Sequence, residues 1–159
     1  MDAMTDPSSS LTAGIEDLYR REGARLWRSV LIFSGDTDIT NDAVAEAFAQ
    51  LIRRGGDVRD PARWVWTAAF AIARGELKRA RTLLPLEERP VWDPIATDLA
   101  DALAQLTPSQ RACIVLHYVE GLRLREIANV MGISKSTVGV HLTRARRRLS
   151  RELEEADDA

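Results

Sequence analysis

One cysteine, Cys113, stands among 159 residues, so no intrachain disulfide can form and the fold must rest on a packed core. Cys113 sits in an apolar helical pattern and is expected to be a small core residue. The only two histidines, His117 and His141, have no metal-ligand spacing, and no glycine-rich phosphate loop precedes a helix pattern. Neither an enzyme nor a cofactor is expected. The longest nearly apolar run, Trp64 to Ala73, is far short of the ~20 residues that cross a bilayer, so no membrane span is expected. The opening MDAMTDPSSS is acidic and polar, unlike a signal or transit peptide, and with the lone cysteine it points to a cytoplasmic location. Alternating strand patterns and hairpin turns are missing as well.

What is present is helical periodicity in two blocks. Residues 1–11 are expected to be a disordered lead, rich in Ser and Asp. In residues 12–81, Ile15, Leu18, Tyr19, Leu26, Val30 and Phe33 keep one helical stripe, which Ser34-Gly35-Asp36 interrupts. Thr40 or Asn41 would cap the next helix, with Val44, Phe48, Leu51 and Ile52 on its apolar side and Gly55-Gly56 at its end. Asp42, Glu46 and Gln50 then lie on the opposite face. A third helix starts from the cap Asp60 and from Pro61. Its run WVWTAAFAIA is apolar around the whole circumference, so one side forms the core and the other suits a partner or stacked bases, for which Trp64, Trp66 and Phe70 are fitted.

The pattern breaks over residues 82–97, where LPLEERPVWDP holds three prolines. This reads as a flexible linker able to span ~50 Å when extended. Residues 98–151 form the second block. Leu99, Ala102, Leu103 and Leu106 mark a short inward face, and Thr107-Pro108-Ser109-Gln110 is a capping box opening a helix that runs to about Gly121. Leu124, Ile127, Ala128 and Met131 then predict a short helix stopped by Gly132, followed by a second, capped by Ser134, with Val138, Leu142, Ala145 and Leu149 inward. Two short helices joined at a glycine turn, the second basic, form a helix-turn-helix. The whole chain carries net charge −2, yet Gly121 to Arg151 hold eight Lys or Arg against the single acid Glu126. That local excess is enough to neutralise several phosphates and favours nucleic acid over a merely solvated face. The acidic tail, residues 152–159, is expected to fray in solvent.

These pieces resemble the extracytoplasmic-function (ECF) sigma factors, the small two-domain sigma factors of bacterial RNA polymerase. DALAQLTPSQRACIVLHYVEGLRLREIANVMGISKSTVGVHLTRARRRL, from Asp101, is similar to their fourth conserved region; DAVAEAF at Asp42 to Phe48 and the helix from Trp64 to Arg81 are similar to the second. The resemblance implies an all-α fold of two small helical domains, region 2-like over 12–81 and region 4-like over 98–151. It implies that Asp42, Glu46 and Gln50 bind the beta-prime coiled coil of core polymerase, and that a beta-flap contact completes the docking. Melted minus-10 DNA would meet Arg59, Arg63, Trp64, Trp66, Lys78 and Arg79. The minus-35 element would be read in the major groove by Arg123, Lys135, Ser136, Thr137, His141, Arg144, Arg147 and Arg148. An anti-sigma factor is a further implied partner. The chain departs from the family where Ala45 replaces the usual Gln, Phe70 and Ala71 replace Arg and Asn, and Gly139 replaces a common Lys. The alternative is a stand-alone dimeric regulator, since STVGVHL also resembles the recognition helix of LuxR-type proteins. Such a regulator would need a receiver or ligand domain, and residues 12–81 lack the strand-helix alternation to build one.

Overall fold

The structure, a computed structural model, describes residues 6–83 and 97–158; most of the stretch expected to be a linker lies outside the described residues, as do residues 1–5 and 159. Every regular element among the described residues is helical. Helix α1 (Pro7–Ser34) begins with proline in its first turn, and the Asp6 carboxylate accepts the Ser8 N–H at 3.1 Å. The helix therefore starts inside the lead expected to be disordered, because a cap and a proline at residues 6 and 7 supply a start signal that composition alone hides. Gly35 ends it in the left-handed conformation, φ +67°, its N–H closing on the Leu31 carbonyl at 2.8 Å.

Helix α2 (Thr37–Arg54) is capped by Asp36, which accepts the Ile39 N–H at 2.9 Å. Thr40 and Asn41 were the expected caps. Thr40 is instead buried one turn inside, its hydroxyl donating to the Asp36 carbonyl at 2.7 Å and lying 2.9 Å from the Ser34 hydroxyl. The aspartate is the better cap because a carboxylate also answers the positive end of the helix dipole. After a single 3-10 turn, Gly55–Asp57, helix α3 (Pro61–Leu83) opens as expected, with Asp60 accepting the Arg63 N–H at 3.1 Å. The three helices bury Leu18, Leu26, Val30 and Phe33 against Val44, Phe48 and Leu51 and against Val65, Ala69, Phe70 and Ala73. Each large side chain among them is worth ~1.5–3 kcal/mol on burial. Tyr19 and Ile52, expected in this core, are 58 % exposed, at the edges of their stripes.

In the second block, α4 (Thr97–Ala104) buries Ala100, Ala102 and Leu103 and leaves Leu99 out. Helix α5 (Pro108–Ile114) carries the expected capping box: Thr107 Oγ1 accepts from Gln110 N–H at 3.2 Å and Gln110 Oε1 from Thr107 N–H at 3.1 Å. The chain then widens into a π turn, Val115–Val119, in which the Glu120 N–H reaches back five residues to the Val115 carbonyl. The His117 Nδ1–H donates to the Leu122 carbonyl at 2.9 Å, an anchor for the turn rather than a catalytic arrangement. Helix α6 (Leu124–Met131) stops at Gly132, φ +67°, and the Ile133 N–H returns to the Ala128 carbonyl at 3.1 Å. Helix α7 (Lys135–Asp158) packs Val138, Leu142 and Ala145 inward. It does not fray at residue 152: the Arg148–Glu152 pair at 3.0 Å, four residues apart, and a run of helix-favouring Glu and Ala carry it to Asp158. Cys113 is buried as expected, and burial pushes its thiol up to about 11 against a smaller opposing pull from Arg74.

The two blocks share one continuous apolar core, with α3 lying against α6 and α1 against α5 and the π turn. At its centre is a buried cation. Arg111, 3 % exposed, donates Nε to the Phe33 carbonyl at 2.5 Å and Nη1 to the Leu103 and Leu106 carbonyls at 3.1 and 3.4 Å, with its guanidinium 5.8 Å from the Phe33 ring. The C-terminal ends of α1 and α4 thus converge on one guanidinium, which complements both negative dipole ends.

Candidate nucleic-acid interface

The α6-turn-α7 unit presents one face of α7 to solvent. Val138, Leu142 and Ala145 hold the helix on α6 and α5, and at 100° per residue the centre of the opposite side falls on Ser136, Val140, Arg144 and Arg147. Ser134 Oγ caps the helix, accepting the Thr137 N–H at 3.1 Å and lying 2.7 Å from the Thr137 hydroxyl, so both hydroxyls are engaged locally at the N-terminal end. Lys135, Ser136, Thr137, Arg144 and Arg147 are all exposed. Arg144 and Arg147 make no hydrogen bond or ion pair among the described residues, which leaves both forks available for phosphate or for a guanine edge.

The remaining expected contacts are placed differently. Arg148 stays partly exposed but is engaged, donating to Glu152 at 3.0 Å and to Gln105 at 3.3 Å, which ties α7 to the end of α4. Arg123 is exposed at the start of α6, where its own N–H is held by Glu126 at 2.7 Å. His141 is half-buried. Its Nδ1 is buried with no hydrogen-bond partner among the described residues, and burial, with Arg144 nearby, holds its pKa below the usual histidine value. A neutral ring with its proton on Nε2 fits that environment, leaving one outward donor. Val140 was not among the expected contacts, yet it is 46 % exposed between Ser136 and Arg144. An apolar group one turn from two polar ones could pack on a thymine methyl; spacing from Ser136 would have flagged it. A side chain at Gly139 would meet only Leu124 Cδ2, at an ordinary 3.9 Å.

A second candidate surface lies around the start of α3. Arg54, Arg59, Arg63, Trp64 and Thr67 line a groove of about 340 Å³, with the Arg54 guanidinium 5.5 Å from the Trp64 ring. Asp57 and Asp60 also border it, so its charge is mixed. The structure thus brings together Arg59, Arg63 and Trp64. Trp66 is on the other side of α3: it is 8 % exposed, stacks with Phe70, and donates its indole N–H to Glu22 at 3.1 Å. Phe70 itself is core, 1 % exposed, so its replacement of a polar family residue is absorbed by packing. Lys78 and Arg79 stand on exposed turns ~22 Å further along the helix, Arg79 paired with Glu76.

On α2, Asp42 is exposed while Glu46 accepts from Gln50 Nε2 at 3.0 Å and Arg53 Nη2 at 2.7 Å. Those two hydrogen bonds, Gln50 first, hold the Glu46 carboxyl below its usual range. Glu46 and Gln50 are thus tied together on α2, with the exposed Asp42 one turn before them. No group of His, Cys, Asp and Glu able to hold a metal occurs among the described residues, and no described helix is long and apolar enough to cross a membrane.

Comparison with known proteins places this geometry in a family. Residues 96–149 match the model for sigma-70, region 4. The chain is 33 % identical over 155 residues to the ECF RNA polymerase sigma factor SigL of Mycobacterium tuberculosis, covering 87 % of this chain and 88 % of that protein. It superposes on CnrH, solved in complex with the cytosolic domain of CnrY, with TM-score 0.71 and 24 % identity over 94 % of this chain and 93 % of that one. It also superposes on the sigma factor RpoE from Bartonella quintana, solved with the anti-sigma factor NepR, with TM-score 0.66 and 19 % identity over 87 % and 98 % of the two chains. Those two likenesses concern the fold. All of this fits a helical layer in the first block and leaves no sheet there for the receiver domain a LuxR-type regulator would need.

Proposed function

The chain belongs to the ECF sigma factors of RNA polymerase, and we propose how its two halves divide the work of choosing a promoter. The second half, 98–151, reads the minus-35 element by laying α7 in the major groove. The observation that carries this reading is the solvent face of α7, where Ser136, Val140, Arg144 and Arg147 line up with both arginines uncommitted. Arg123, Lys135 and Thr137 flank it as phosphate contacts that set register. Arg148 joins them only if its bonds to Gln105 and Glu152 are exchanged for phosphate.

The first half, 12–81, holds melted minus-10 DNA at the groove of Arg59, Arg63 and Trp64, where a base stacked on the indole returns ~1–3 kcal/mol against the cost of unpairing. Asp42, Glu46 and Gln50 supply a polar strip for the beta-prime coiled coil, and a beta-flap contact from the second half completes polymerase docking. The protein contributes selection and positioning, and polymerase performs the phosphoryl transfer. It works in the bacterial cytoplasm beside polymerase, and an anti-sigma factor holds it inactive until released. Run-off transcription with core polymerase on genomic promoter fragments tests the reading. Initiation at a defined set of promoters is expected; failure to bind core polymerase, together with unaided binding to a palindromic operator, would replace it with a stand-alone regulator.

A further inference from the structure

The three adjacent arginines in the middle of α7, Arg146, Arg147 and Arg148, are not equivalent. Arg147 makes no hydrogen bond or ion pair among the described residues, whereas each of its neighbours is held by an acceptor of the protein itself. Arg146 donates Nη1 to the Tyr118 hydroxyl at 2.9 Å, a neutral partner. Arg148 is held twice: its Nε donates to Glu152 Oε1 at 3.0 Å and its Nη2 to Gln105 Oε1 at 3.3 Å. Nε and Nη2 are the parallel donors along one edge of a guanidinium, the edge that grips a carboxylate or a phosphate side-on. Two oxygens from separate parts of the chain thus stand where two oxygens of one phosphate would stand.

Both acceptors are positioned by the fold. Gln105 follows α4, its N–H bonded to the Ala102 carbonyl at 3.2 Å, and the next residue, Leu106, is 1 % exposed. The amide therefore starts from a fixed backbone. Glu152 lies one turn beyond Arg148 on the same unbroken helix, and Leu149 between them packs on the core. The Glu152 side chain is 28 % exposed and that of Arg148 43 %. A fully exposed ion pair contributes little, but this one is partly sheltered and shared with a third group. Arg148 still reaches solvent, so a phosphate can displace its partners. Glu154, Glu155, Asp157 and Asp158 follow on α7, and none of them is bonded to an arginine among the described residues.

We propose that Glu152, with Gln105, is an internal phosphate surrogate: it holds Arg148 back from DNA and so sets how tightly α7 binds duplex of any sequence. This rests on the reading of α7 as the DNA-facing helix. Phosphate contacts carry affinity without sequence information, so withholding one lowers binding to bulk DNA while Ser136, Val140 and Arg144 keep their places against the bases.

Binding of the full chain to a labelled duplex of arbitrary sequence, followed across salt concentrations, tests this. Glu152→Gln removes the charge and keeps the shape. It is expected to tighten binding about two- to fivefold near ~0.15 M salt and to steepen the fall of log affinity with log salt by up to ~0.9, the value of one added phosphate contact. Glu155→Gln makes the same change in net charge without touching Arg148, and should leave the slope where it was. In an Arg148→Ala background, Glu152→Gln should bring no gain. Circular dichroism checks that each variant keeps its helix, and Arg148→Met, which retains an unbranched stem, replaces an alanine form that does not. An unchanged slope for Glu152→Gln, an equal gain from Glu155→Gln, or a gain that persists without Arg148 would overturn the surrogate and leave the promoter reading standing. A steeper slope in a protein that initiates at no promoter with core polymerase would instead sustain the surrogate and overturn the promoter reading.

Discussion

Replacing Arg111 by Met keeps an unbranched apolar stem and deletes the guanidinium. The Phe33 carbonyl then loses its partner in a site without water access, since Arg111 is 3 % exposed. Hydrogen bonds from charged donors are worth ~1.5–3 kcal/mol net of the desolvation they incur. The cation over the Phe33 ring adds ~0.5–2 kcal/mol. The Leu103 carbonyl suffers less because it also accepts the Leu106 N–H at 3.1 Å, and the Leu106 contact is already long at 3.4 Å. The sum is about 3 kcal/mol, which for a chain of this size lowers the melting temperature by ~6–12 °C. Helical circular dichroism followed through heat and urea measures it, with the exposed Arg151→Ala as a control expected within ~0.5 kcal/mol of the starting protein. Arg111→Lys should fall between, because an ammonium keeps the charge and loses the fork that spans two helix ends. A loss below ~1 kcal/mol for Met would refute the account, showing that the carbonyls find other partners and that the buried cation only offsets its own desolvation.

Other outcomes follow from single sites. Gly139→Ala should stabilise the protein by about 1 kcal/mol, since the added methyl meets only an ordinary contact and glycine is costly inside a helix; an unchanged urea midpoint would contradict it. Arg144→Ala should weaken promoter binding by ~1–3 kcal/mol with relaxed specificity at one position if it reads a base, or evenly across sequences with a shallower salt slope if it grips phosphate. Val140→Ala should reduce discrimination at a thymine with little change in salt slope, as measured by competition binding. The depressed pKa of His141 means the fold prefers the neutral ring, so its contribution is present above the unfolded value near 6.5 and is lost as pH falls through the folded value. His141→Gln should flatten the stability profile below about pH 6.5 relative to the starting protein.

Helix starts, stops and inward stripes are short-range properties, and most of them are legible in the order of residues. Asp60-Pro61, the Thr107–Gln110 box and Gly132 each act within four residues, so they can be read without knowing what packs nearby. The helix-turn-helix and its basic face follow from the same local rules, which is why Arg144 and Arg147 were recognisable. Locality also explains the errors. Tyr19 and Ile52 lie at the edge of apolar stripes, and only the neighbouring helix decides which edge is covered. Trp64 and Trp66 look alike in the run WVWTAAFAIA, yet two residues turn a helix through about 200°, placing one in an open groove and the other against Glu22 and Arg25.

By itself, then, the amino-acid order determined an all-helical chain in two blocks with a basic recognition helix in the second, because helical period, capping and charge are encoded within a turn or two. Only the tertiary structure decided that Arg148 also reaches Gln105, that Arg111 joins the ends of two helices, and that Glu120 pairs with Arg25 across the two blocks. Those contacts bridge 43, 78 and 95 residues along the chain. A lone charged side chain carries no local mark of the distant partner that will satisfy it. Packing selects that partner by bringing distant helices together, and at Arg111 and Glu120 it also buries the charge where little else is within reach.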